Sequence, residues 1–255
     1  MIKRKSEREI ELMRRAGRIA AAARLEAEKM VTVGATTQSI NKKLHDFIIS
    51  HGAVPAFLGY NGYPASVCIS VNEQVIHGIP SNGKLLDGDV VSIDIGVDKD
   101  GYIGDCAATF IAGKGATESL RLIEVTRQSF YEGLKFARVG YRVSDISRAI
   151  QTFVEKNGFS VVRDYVGHGV GTKVHEPPEI PNFVESPRRR SDPRLMSGMT
   201  IAIEPMVNAG TANVRVLDDG WTVVTADGRL SAHYENTILI TDADPEILTV
   251  CEGAL

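Results

Sequence analysis

Two stretches of the chain repeat each other's order of apolar and polar positions at a constant offset of 106 residues. VTVGATTQSINKKLHDFIISHGAVPA (31–56) aligns with ARVGYRVSDISRAIQTFVEKNGFSVV (137–162), matching Gly34 with Gly140, Ile40 with Ile146, Phe47 with Phe153 and Gly52 with Gly158. Apolar residues recur at three- and four-residue spacing in both, at Ile40, Leu44, Phe47 and Ile48 and at Ile146, Ala149, Ile150 and Phe153. That spacing predicts one amphipathic helix in each. A polar residue opens each helix (Thr36 or Thr37; Ser144) and a glycine stops it (Gly52; Gly158). The echo predicts two related halves, roughly 1–115 and 116–255, packed about a pseudo-twofold axis within a single domain spanning 1–255.

Between the helices the period changes to two. In VVSIDIGV, Val91, Ile93, Ile95 and Val97 alternate with Ser92, Asp94 and Gly96, as in a half-buried strand. Further strand-like runs occupy 66–72, 102–112, 199–207, 221–227 and 231–241. Helices with hairpin-type strands predict an α+β fold. The hairpin VVSIDIGVDKDGYIGDCAATF places Asp94 and Asp105 in its two arms. A turn centred between Lys99 and Asp100 sets them directly opposite one another, whereas a two-residue Asp100–Gly101 turn makes them diagonal neighbours on one face. Like charges so placed repel. A proton on one carboxyl, an intervening basic side chain or a bridging divalent cation would each relieve the repulsion.

Two more carboxylates tip that choice. Glu204 lies in MTIAIEPMV and Glu235 in SAHYENTILI, again among apolar strand residues. His168, in YVGHGVG, stands between glycines that let the backbone approach closely. Two aspartates, two glutamates and an imidazole make a ligand set suited to two ions such as Mn, Fe, Co or Zn. Ions about 3.5–4 Å apart can share a water and lower its pKa from 15.7 towards about 7. The chain carries no GxSxG, HExxH or P-loop signature.

Composition excludes other classes. A net charge of −3 gives no global reason to bind DNA or a membrane. Three cysteines without CxxC spacing argue against a disulfide framework or a thiolate zinc site, and fit a reducing cytoplasm. The charged N-terminal stretch has no signal-peptide core, and no run of about 18 apolar residues occurs anywhere.

The order Asp94, Asp105, His168, Glu204, Glu235, with His77 in HGIP and His175 in VHEPP, resembles the type I methionine aminopeptidases, and the blocks CISVNEQVIHGIP, GDVVSIDIGV, VGHGVG, IEPMVNAG and DGWTVVT extend the likeness over nearly the whole chain. The resemblance implies the pita-bread fold and, from the length, the short bacterial form. It also implies removal of the initiator methionine from nascent chains when the next residue is small, through attack of a metal-bridging water on the scissile carbonyl. Carried over by position, Asp94, Asp105 and Glu235 bridge or chelate the ions, His168 and Glu204 complete the set, and Glu204 accepts the proton of the attacking water. His175 binds the scissile carbonyl, and His77 contacts the substrate backbone. Phe57, Tyr60, Tyr63, Cys68 and Trp221 form the methionine pocket, in which Phe57 and the Val174 beside His175 depart from the common pattern. Asn72, Gln74 and Ser231 resemble a monovalent-cation site. His45, His51 and His233 have no such support, and the first two read as surface residues. The implied partner is the N-terminus of a nascent polypeptide, met by a monomer, with Arg188–Arg190 as a basic loop able to touch ribosomal RNA. The rival readings are an Xaa-Pro aminopeptidase and a non-catalytic module of the same fold.

Overall fold

The computed structural model describes residues 2–184 and 192–251, so the Arg188–Arg190 cluster lies outside the described residues. Helix α1 (Glu7–Met30) and helix α2 (Thr37–Ser50) are followed by strands β1 (Val54–Pro55), β2 (Cys68–Val71), β3 (Gln74–Ile76), β4 (Val90–Lys99) and β5 (Tyr102–Ile111). Helices α3 (Thr117–Leu134) and α4 (Val143–Lys156) come next. After them run β6 (Ser160–Val161), β7 (Gly167–Gly169), β8 (Glu176–Ile180), β9 (Thr200–Ile203) and β10 (Met206–Asn208). The chain closes with β11 (Val214–Val216), β12 (Val223–Thr225), β13 (Ser231–His233), β14 (Glu235–Leu239) and β15 (Glu246–Ile247). The result is the α+β architecture that the two periods predict.

The principal sheet runs β1-β4-β5-β14-β9-β7-β8, with β2 also on β4 and β15 on β14, and its pairings are antiparallel. Helix α1 packs on β4 and β5. Its buried face is a stripe of Ala16, Ala20, Ala23 and Ala27, small enough for close approach. The core residues of the first half (Ile40, Leu44, Ile48, Ile69, Ile93, Ile95) and of the second (Phe130, Ile146, Ile150, Ile180, Ile201, Ile238) gather in separate clusters.

The β4–β5 register resolves the alternatives left by the hairpin. Lys99 pairs with Tyr102, so Asp100 and Gly101 form a two-residue turn, and both take positive φ (55° and 80°) as such a turn requires. Asp94 pairs with Ala107 and Asp105 with Gly96, which makes the aspartates diagonal neighbours on one face.

Two of the expected strands are broken. The run 199–207 divides into β9 and β10 around Glu204 and Pro205, and 231–241 divides into β13 and β14 at Tyr234. Proline has no N–H to continue a ladder. The register nevertheless continues across the gap, from Asn236–Ile203 to Met206–His233, with the Tyr234 N–H donating to the Pro205 carbonyl at 3.2 Å. Glu204 therefore lies opposite Glu235.

The echoed segments adopt matching conformations. Gly34, Gly140, Gly52 and Gly158 all have positive φ, and isolated bridges form at Thr36–Lys84 and Arg142–Arg194. Thr36 caps α2, its hydroxyl accepting from Ser39 N at 3.1 Å. The expected cap at Ser144 is corrected: α4 is capped two residues earlier, at Arg142, whose backbone N–H donates to the Asp145 carboxylate, while the Ser144 hydroxyl donates to Asp192.

Candidate metal centre

Sheet register explains why carboxylates from distant parts of the chain meet. On one face, Asp94 (β4), Ala107 (β5), Glu235 (β14) and Glu204 (beyond β9) form a row across four strands, and Asp105 stands one step along the same face. Alanine at 107 puts only a methyl group between Asp94 and Glu235 in this row. Asp105 is fixed through its backbone: its N–H donates to the Thr237 hydroxyl at 3.1 Å, and that hydroxyl donates back to the Asp105 carbonyl at 2.9 Å.

His168 joins from β7. The Cβ of any other residue at Gly167 would come within 2.5 Å of the Ala202 carbonyl oxygen, and one at Gly169 would collide with the Pro177 carbonyl oxygen. The glycines thus let this strand press against its neighbours. His168 Nδ1 donates to the Gly169 carbonyl at 2.9 Å, which leaves the lone pair on Nε2. Nε2 stands 3.3 Å from Glu204 Oε1 and 4.0 Å from Asp105 Oδ2. Asp105, His168 and Glu235 offer donor atoms mutually within 4.8 Å, and so do Glu204, His233 and Glu235.

This cluster is buried and electrostatically unfinished. Among the described residues, Asp94 Oδ1, Asp105 Oδ1, Glu235 Oε1 and His233 Nε2 have no hydrogen-bond partner. Burial pushes the Asp94 carboxyl from its ordinary 3.8 up to about 7 and the Glu204 carboxyl from 4.5 up to about 8. Burial, then repulsion from neighbouring carboxylates, drives Asp105 and Glu235 well above the usual carboxylate range. Burial lowers His168 to about 3, so its imidazole is neutral. Orphaned acidic oxygens around a neutral imidazole fit divalent cations: the ions would supply the positive charge that the protein withholds.

Beside the centre, His77 has positive φ (58°), and its ring meets Trp221 edge-on at 6.4 Å. Burial lowers it to about 4. The His175 ring lies 4.3 Å from that of His168, and its Nδ1 is 2.8 Å from the Tyr60 hydroxyl. Phe57, Tyr63, Cys68 and Val174 are buried in one apolar cluster, with Tyr60 and Trp221 against it. Ser231 N donates to the Asn72 carbonyl at 2.9 Å, while the side-chain oxygen of Gln74 accepts from Val71 N.

The remaining histidines differ from one another. His51 is exposed. His45 is half-buried rather than superficial, with Nδ1 2.8 Å from Ser66 Oγ. His233, to which the sequence pattern assigns no role, is 1% exposed and lies within the cluster, Nε2 3.6 Å from Glu204 Oε2 and 4.0 Å from Glu235 Oε2. Its two-residue spacing from Glu235 on a strand-like run was the available signal.

The model of metallopeptidase family M24 matches residues 11–242. A methionine aminopeptidase of Clostridium perfringens is 54% identical over 98% of this chain and 99% of its own. Among solved structures, a methionine aminopeptidase from Rickettsia prowazekii superposes with a TM-score of 0.94 at 42% identity, covering 98% of this chain and all of that one. The prolidase from Pyrococcus furiosus shares the fold at a TM-score of 0.79 and 23% identity, with 98% of this chain matched to 66% of that one. The chain belongs to metallopeptidase family M24 and, within it, to the methionine aminopeptidases.

Proposed function

We propose that this chain removes the initiator methionine from nascent polypeptides whose second residue is small, as a metal-dependent hydrolase. The observation that most supports this is the convergence of Asp94, Asp105, His168, Glu204 and Glu235 on one buried, unneutralised cluster. These five side chains would hold two divalent ions. Co, Mn, Fe and Zn all suit the donors. When bound, such ions acidify water and polarise a carbonyl oxygen.

The chain's own groups complete the reaction. Glu204, ionised once bound cations neutralise the cluster, would accept the proton of the attacking water and deliver it to the leaving amine. The Tyr60 hydroxyl lies 2.8 Å from His175 Nδ1; with the hydroxyl as donor the imidazole proton sits on Nε2, where it can donate to the scissile carbonyl oxygen as charge develops. His77 binds substrate backbone beside it. Phe57, Tyr60, Tyr63, Cys68 and Trp221 receive the flexible thioether side chain.

The same reading includes a monovalent cation at the Asn72 and Ser231 backbone near Gln74, a monomeric protein, and a duplication relating the halves 1–115 and 116–255. Three free cysteines and the absence, among described residues, of a helix long and apolar enough to cross a membrane support a cytoplasmic location, where nascent chains emerge.

Purified protein reconstituted with each metal under anaerobic conditions should cleave Met-Ala-Ser and leave Xaa-Pro peptides intact. Glu204→Gln should lower kcat by about 10²–10⁴-fold while the protein stays folded. Preferential cleavage of Xaa-Pro peptides, or full turnover in Glu204→Gln, would overturn the proposal.

A further inference from the structure

His233 is the second imidazole of the cluster, and the roles above leave it unused. Its Nε2 is buried without a hydrogen-bond partner among the described residues and faces Glu204 Oε2 at 3.6 Å and Glu235 Oε2 at 4.0 Å. Those separations are too long for hydrogen bonds. They match the spacing of donors around one ion: atoms each about 2.0–2.2 Å from a metal lie roughly 3–3.6 Å apart as neighbours, and somewhat over 4 Å apart on opposite sides. His168 shows the same pair of distances, 3.3 and 4.0 Å, towards Glu204 and Asp105.

The position of His233 is built, not incidental. Its N–H donates to the Thr109 hydroxyl at 2.9 Å, and that hydroxyl donates to the His233 carbonyl at 2.8 Å. The hydroxyl's only proton is thereby used, so Ser92 must be the donor in its 2.8 Å contact with Thr109. Strand β13 is thus bolted to β5 at the one residue whose ring enters the cluster.

We propose that His233 Nε2 is a sixth protein ligand of the metal centre, sharing a divalent ion with Glu204 and Glu235, so that the two donor groups (Asp105, His168, Glu235 and Glu204, His233, Glu235) each contain one imidazole. The inference rests on the metal-centre reading above. An added nitrogen donor shifts the preference of that ion towards Co and Zn relative to Mn.

The test compares holoprotein of the natural sequence, His233→Gln, His233→Ala and Asp105→Asn, each checked for fold by circular dichroism. Cobalt(II) and Mn(II) are titrated by calorimetry, and nitrogen ligands are counted by X-ray absorption on the cobalt forms. His233→Gln keeps a side chain able to hydrogen-bond Glu204, so it separates coordination from orientation. The expected result is one nitrogen ligand fewer in His233→Gln, with affinity for one cobalt ion falling by about 10–100-fold or more and affinity for Mn falling less. An unchanged nitrogen count in folded His233→Gln, while Asp105→Asn loses metal, would overturn the role of His233 alone. Failure of the natural protein to bind either ion would overturn the metal centre and this inference together.

Discussion

Stripping the metals should make the stability of this protein fall as pH rises through neutrality. In the metal-free fold Glu204 keeps its proton up to about pH 8 and Asp94 up to about pH 7, because burial disfavours their charged forms. Unfolded, both carboxyls ionise near their ordinary 4.5 and 3.8. Over the intervening range the folded state binds more protons than the unfolded state, so their contribution is present at low pH and is lost as pH climbs to the folded values. Each such proton is worth about 1.4 kcal/mol per pH unit. The histidines carry the opposite sign. His168 and His77 are lowered from 6.5 to about 3 and about 4, so their contribution is present above 6.5 and is lost as pH falls below it. The two trends offset between pH 4 and 6.5, and the carboxylates stand alone above that. From pH 6.5 to 8, Glu204 by itself takes away about 2 kcal/mol, and the coupled Asp94, Asp105 and Glu235 add to it. Urea unfolding of chelator-treated protein at fixed ionic strength, followed by circular dichroism and by fluorescence of the single tryptophan, Trp221, measures this directly. Metal-loaded protein should lose the slope, and binding should release protons at pH 6.5. Metal-free stability that is level or rising from pH 6.5 to 8 would refute the reasoning.

Other perturbations test the surroundings of the cluster. Tyr60→Phe removes the hydroxyl that contacts His175 Nδ1, and should cut kcat by about 3–10-fold with KM little changed in steady-state assays. Gly96→Ala brings a Cβ within 2.5 Å of the Phe57 ring; it should cost about 1–3 kcal/mol in urea unfolding and raise KM for methionyl peptides, with Phe57→Leu in the same chain recovering part of both. Lys5→Met leaves the Glu176 carboxylate, 2.7 Å from Lys5 Nζ and 9% exposed, without its cation. Because Glu176 also accepts from Thr172 and Lys173 N–H groups and adjoins His175, this change should destabilise by about 3 kcal/mol and lower kcat.

Periodicity carried much of this fold, and its failures have definite causes. Alternation showed that Asp94 and Asp105 share a face, but pairing depends on the turn, and the αL-tolerant Asp100–Gly101 pair decides it. Thr36 reads correctly as a cap because its hydroxyl bonds locally, accepting from Ser39 N, whereas Ser144 is drawn to Asp192, a partner remote in sequence. His233 escaped for a related reason. Its orientation depends on the chain changing sheets at Tyr234, and no local pattern announces that change.

The breaks at Pro205 and Tyr234 also explain how a sheet tolerates so much buried acidity. Had β9 and β10 been one strand, Glu204 would occupy an ordinary ladder position opposite Glu235, with like charges held at close cross-strand spacing. The break frees Glu204 from strict pairing while the continuous register on either side keeps it opposite Glu235. It also brings His233 and His168 to its two carboxylate oxygens, at 3.6 and 3.3 Å. A row of carboxylates across four strands is a poor way to stabilise a protein and a good way to hold cations, because backbone pairing fixes the spacing of the donors before any ion arrives. That is preorganisation by sheet register: removing one carboxylate should change metal affinity far more than it changes the fold.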